Sequence, residues 1–172
     1  MSELWITLND IPEEGKDLVF DDQTFWTEAW KNFNIDARPA SPLISEVFIL
    51  PQDNGCLVRG KTSGAITIIC DRCTADYKQN ISTEFEEFEQ VATAEDTEPS
   101  PVVKTKEGLK IEIGALLWEH FVMALPAKPL CSNRCKGLCY KCGADLNKGE
   151  CTCKKEEGDP RLAVFRNLKI KN

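Results

Sequence analysis

Six of the nine cysteines of this 172-residue chain fall within 23 residues, in the run CSNRCKGLCYKCGADLNKGECTC from Cys131 to Cys153. The run is short of apolar residues, so it offers no core in which six thiols could be buried. A chain segment of this kind orders itself around metal, and zinc suits four thiolates in a tetrahedron. Cys139 and Cys142 are separated by two residues and followed by Gly143, the knuckle that brings two sulfurs to one metal while the glycine permits the turn. The other two ligands come from Cys131 or Cys135 upstream or Cys151 or Cys153 downstream, so four of the six are expected to hold one structural zinc; the alternative is a two-zinc, six-thiolate cluster with shared sulfurs. Cys131 and Cys135 are four apart, a spacing that suits one side of a helical turn. The spacings match neither ferredoxin pattern for an iron–sulfur cluster. With every coordination position filled by protein, such a site is a scaffold and has no place for a catalytic water.

A second pair, Cys70 and Cys73, follows the β-branched run Ala65 to Cys70. It supplies two ligands, not four. A redox role requires a βα turn, and β-type sequence lies on both sides here. Two readings stay open: a tight hairpin turn, or a metal site shared with the C-terminal cysteines.

The net charge of −7 conceals a division. Residues 127–172 carry eleven Lys and Arg against five Asp and Glu, a net of +6, whereas residues 1–126 carry ten against 23, a net of −13. An acidic body, 1–126, is therefore expected to precede a basic zinc module with a C-terminal helix, 127–172. Arg134, Lys136, Lys141, Arg161, Arg166 and Lys169 are the candidate contacts to RNA phosphates.

The body reads as α+β, mostly antiparallel sheet with two or three helices. Leu4, Ile6 and Leu8 alternate as a strand, and Asp17 to Phe20 forms another. Asp21 or Asp22 caps a helix to about Phe33, with Trp26, Trp30 and Phe33 on its apolar stripe beside Phe25 and Ala29. Leu43 to Leu50, the Asp53-Asn54-Gly55 turn, Cys56 to Arg59 and Tyr77 to Phe88 read as a meander. Ala92 to Pro101 cannot pack and reads as a mobile loop. Short strands flank Gly108, then Ile113 to Leu125 is helical until Pro126. The lone His120 is expected at a surface or edge. Asp159 and Pro160 open a last helix with Leu162, Phe165 and Leu168 on one stripe.

No run of about 18 apolar residues is present, and Met1 to Trp5 lacks the basic and apolar regions of a secretory signal. A cytoplasmic protein is expected. The sequence holds no nucleotide loop, paired catalytic carboxylates or nucleophile motif, so neither an enzyme nor a small-molecule substrate is expected.

The run Leu125 to Cys131, then Cys135-Lys136-Gly137-Leu138-Cys139-Tyr140-Lys141-Cys142-Gly143, Asp145-Leu146-Asn147 and Asp159-Pro160-Arg161-Leu162-Ala163, closely resembles the YceD family. Cys70-Asp71-Arg72-Cys73 and Glu84-Phe85 share the likeness. These bacterial and plastid proteins are called large ribosomal RNA subunit accumulation proteins. The resemblance implies a non-enzymatic factor that supports accumulation or processing of large-subunit ribosomal RNA. Its implied partner is that RNA, its precursor, or a basic large-subunit ribosomal protein. The competing reading is a zinc-module adaptor or transcription-linked protein with no ribosomal role.

Overall fold

The computed structural model describes residues 4–33, 35–92 and 100–153. Among the described residues it is an α+β fold of two α-helices and two antiparallel sheets. Most of Ala92 to Pro101 and the segment from Asp159 onward, each named above, lie outside the described residues.

Three 15-residue strands form the centre: β3 (Arg38–Gln52), β4 (Gly55–Ile69) and β5 (Asp76–Gln90). The names used here follow chain order, so β1 (Trp5–Thr7) and β2 (Lys16–Phe20) precede them. The larger sheet runs β2-β3-β4-β5. Asp53 and Asn54 close the β3–β4 hairpin, with Gln52 opposite Gly55. Alternation fixes the register. Leu43, Val47, Ile49 and Val58 face inward, and a one-residue slip would expose all of them. The inward pair Ser45 and Thr62 is polar, but their hydroxyls meet at 2.8 Å, which answers both.

Helix α1 (Gln23–Asn32) starts where the Asp22 carboxylate accepts from Thr24 N at 2.8 Å. It buries Phe25, Trp26, Ala29 and Trp30. Phe33, expected on that stripe, is 52% exposed and stacks on Trp118 at 4.8 Å. Helix α2 (Ile113–Met123) ends two residues earlier than the sequence suggests. Its Phe121 meets Trp26 at 5.2 Å and Trp30 at 6.1 Å. Each such buried aromatic contributes on the order of 1.5–3 kcal/mol.

Strand β1 does not join the meander. It pairs with β7 (Gly108–Glu112), which pairs in turn with β6 (Val102–Thr105), making a separate three-stranded sheet. Leu8 leaves the strand for a single 3-10 turn, Leu8–Asp10. Glu112 explains the attachment: its carboxylate caps α2 through Ala115 N at 2.7 Å and also accepts from Leu4 N at 3.1 Å. His120 is buried at 5% exposure, not at a surface. It stacks on Phe85 of β5 at 3.9 Å, with Nε2 3.2 Å from Glu87 but off hydrogen-bond alignment.

Candidate metal centres

The β4–β5 connection is a knuckle. Thr74 N donates to Cys70 O at 2.9 Å and Cys70 N to Ala75 O at 2.9 Å, with Thr74 at φ 56°. The same figure recurs at Cys139: Gly143 N donates to Cys139 O at 2.8 Å and Cys139 N to Ala144 O at 2.8 Å, with Gly143 at φ 71°. Both have the form Cys-x-x-Cys-x-Ala. Thr74 occupies the left-handed position that glycine fills at Gly143, a conformation that strains a β-branched residue.

The segment after α2 is laid across the first knuckle. Asp71 N donates to Pro129 O at 2.9 Å, Leu138 N to Arg72 O at 3.0 Å, and Arg72 Nη1 to Cys135 O at 3.0 Å. These bonds turn Cys131 and Cys135 toward Cys70 and Cys73. Sulfur separations are 3.9 Å for Cys70–Cys135 and 3.7 Å for Cys73–Cys131. Cys139, Cys142, Cys151 and Cys153 form a second group, with Cys139 and Cys151 sulfurs at 3.4 Å. Within each group of four, all sulfurs lie within 4.8 Å of one another.

Eight cysteines therefore form two groups of four that could each hold a metal ion, where spacing suggested one centre drawn from six. Of the two readings of Cys70 and Cys73, the hairpin turn and the shared centre both hold. Cys131 and Cys135 are not on a helix; a turn closed by Cys135 N to Ser132 O at 2.9 Å presents them. The missed signal was the repeated Cys-x-x-Cys-x-Ala figure. Cys56 takes no part and sits fully buried in the sheet core.

The donor sets fit a thiophilic dication. Zinc–sulfur bonds of about 2.3 Å require tetrahedral sulfur edges near 3.8 Å, close to those seen. The electrostatics point the same way. The Cys131 N–H is the chief donor that holds the Cys70 thiol down to about 6, against burial. The Cys135 and Cys73 thiols push Cys131 up to about 12. In the second group the Cys142 and Lys141 N–H groups draw Cys139 to about 6, while Cys142 above all pushes Cys153 up to about 12. Thiols so close cannot all ionise unless a cation compensates them.

Asn147 braces the first centre. Its Nδ2 donates to Cys135 Sγ at 3.4 Å, its Oδ1 accepts from Lys136 N at 2.8 Å, and Asp145 Oδ1 accepts from both its N (2.9 Å) and its Nδ2 (2.8 Å). Burial works to raise the Cys135 thiol, and the Asn147 amide and Gly137 N–H outweigh it, so the thiol is lowered. Gly137, at φ 76°, is required here, since a Cβ would stand 3.0 Å from Arg72 O.

Of the candidate phosphate contacts, Arg134, Lys136 and Lys141 are exposed on this module; Arg161, Arg166 and Lys169 lie outside the described residues. Among the described residues, no helix is long and apolar enough to cross a membrane.

Residues 58–169 match the family described as large ribosomal RNA subunit accumulation protein YceD. The chain is also similar to the large ribosomal RNA subunit accumulation protein YCED homolog 1, chloroplastic, of Arabidopsis thaliana, at 35% identity over 60 residues. That stretch is 35% of this chain and 19% of the relative, so the match spans about a fifth of the relative's length. No solved structure matches the chain.

Proposed function

The chain belongs to the YceD family of large ribosomal RNA subunit accumulation proteins, and from that premise we propose that it supports large-subunit RNA accumulation by binding, without a catalytic step. The observation that carries the reading is the charge division, −13 before residue 127 and +6 from there on with the thiols counted as neutral; two four-thiolate zinc centres, each about −2 overall, would trim the latter to about +2 to +4 and leave its sign unchanged. An acidic body repels RNA, so contact with phosphates falls to the cysteine-rich end. The two groups of thiols, Cys70–Cys73–Cys131–Cys135 and Cys139–Cys142–Cys151–Cys153, would each hold one zinc. Bound there, zinc supplies charge compensation and a cross-link, with no open position for chemistry. Among the buried polar side chains described, Ser45 pairs with Thr62 and Glu112 caps a helix, while His120 stacks on Phe85 with its Nε2 left without an aligned partner. Thiols kept for metal suit a reducing compartment, and the cytoplasm is the proposed one.

Sedimentation of cell extract tests this. The chain should travel with large-subunit precursors at low salt, and its deletion should lower large-subunit RNA. Free sedimentation together with unchanged RNA would leave the adaptor reading. Association that survives combined Arg134→Glu and Lys136→Glu substitution would instead favour the acidic body holding a basic ribosomal protein.

A further inference from the structure

The two knuckles share a backbone figure but not a fate. The tip of the first, Asp71-Arg72, is spent within the chain: Asp71 N and Arg72 O bond the segment that carries Cys131 and Cys135. The tip of the second is Tyr140-Lys141, and Tyr140 is 79% exposed. The chain's other tyrosine, Tyr77, packs against the first centre.

We propose that Tyr140 is a stacking platform for an unpaired RNA base, with Lys136 and Lys141 taking the flanking phosphates. The inference deepens the RNA-binding reading above and rests on it. Four observations carry it. Tyr140 is the sole aromatic residue between 127 and 153. It sits on a backbone fixed by the Gly143 N to Cys139 O and Cys139 N to Ala144 O bonds, both 2.8 Å, so little ordering remains to be done on binding. It borders a hollow of about 340 Å³ whose floor is the second centre's Cys139, Cys151 and Cys153 and which Lys136 and Lys141 also line. Leu138, two residues away, is 36% exposed and extends the apolar surface.

Single-stranded RNA fits this set better than a duplex or an acidic peptide. A duplex hides its base faces and would leave the ring without a partner, and an acidic peptide has no flat π surface to offer. Sequence preference is expected to be weak, because every base presents a π face.

The test uses the full metal-loaded chain and a labelled single-stranded RNA of about twelve nucleotides, without self-complementarity, beside the same sequence as a duplex. Affinity is read by anisotropy, and metal content is checked for every variant. Tyr140→Ala should weaken single-strand binding roughly 5- to 150-fold, the range of base–aromatic stacking, with metal content unchanged. Tyr140→Phe should restore it to within about 3-fold, and Tyr140→Leu should not. Duplex binding should hardly change. If the parent chain binds RNA but Tyr140→Ala binds as well as the parent, the platform is refuted while the RNA reading stands. Full restoration by Leu would refute stacking in favour of a plain apolar contact. If the parent chain binds neither RNA form at low salt, the broader reading falls as well.

Discussion

Cys56 shows how one residue's surroundings separate it from eight others of the same type. It is fully buried between strands, and burial first, then Glu89, pushes its thiol up to about 12. The thiolate is the reactive form, so an alkylating reagent at pH 8 should leave Cys56 untouched in the native chain. Peptide mass spectrometry would read this; labelling as fast as in denaturant would contradict it. The sign for stability follows. Between the ordinary value of 9.0 and about 12 the unfolded chain has lost a proton that the folded chain keeps, so stability should fall as pH rises through that window. Gly137 is the second residue whose identity is dictated locally. Gly137→Ala adds a Cβ at 3.0 Å from Arg72 O in the left-handed region and should cost about 1–2 kcal/mol. Its melting temperature should drop by several degrees; an unchanged melt would mean that the loop yields.

At the scale of elements, the hairpin turn between β4 and β5 is half of a metal centre, and the segment 129–138 is the other half. Two divalent ions per chain are therefore expected, in place of the single zinc that spacing alone suggested. Elemental analysis should find one ion in Cys73→Ser and one in Cys142→Ser, each variant losing its own centre. One ion in the parent chain would refute the pairing. Asn147 steadies the first centre by donating to Cys135 Sγ at 3.4 Å. Asn147→Ala should weaken metal at that centre roughly 10- to 100-fold, the usual effect of losing such a partner. Competition with a chelator would measure it, with the second centre as the internal control.

Across the whole molecule, the main core and the first metal centre are distinct buried groups that meet at Tyr77. The core joins Trp26, Trp30, Phe121 and the inward side chains of β3 and β4, whereas Cys70, Cys73 and Cys135 form their own buried group with Leu130 and Tyr77 at its edge. Stripping metal should consequently loosen 129–153 and leave the sheets folded. Amide exchange after chelation should rise in that segment and at the 70–75 turn, while β3 and the helices stay protected. Collapse of protection throughout would mean that the centres hold up the body as well.

The α1 stripe, the Asp53-Asn54 turn and the strand character of Tyr77 to Phe88 were legible in the sequence because period, turn chemistry and capping are local, whereas β4, read as Cys56 to Arg59 and Ala65 to Cys70, is one strand. The charge division and the second knuckle were legible for the same reason, each being contained in a short run of residues. The membership of the first centre was not, since Cys70 and Cys135 are 65 residues apart and spacing carries no information across such a separation. The place of β1 beside β7 was equally hidden, because it depends on Glu112 capping a helix and receiving Leu4 N at once. The burial of His120 depends on β5 bringing Phe85 over it. In these cases the sequence alone determined what each segment is, and the packing of distant segments decided what each one meets.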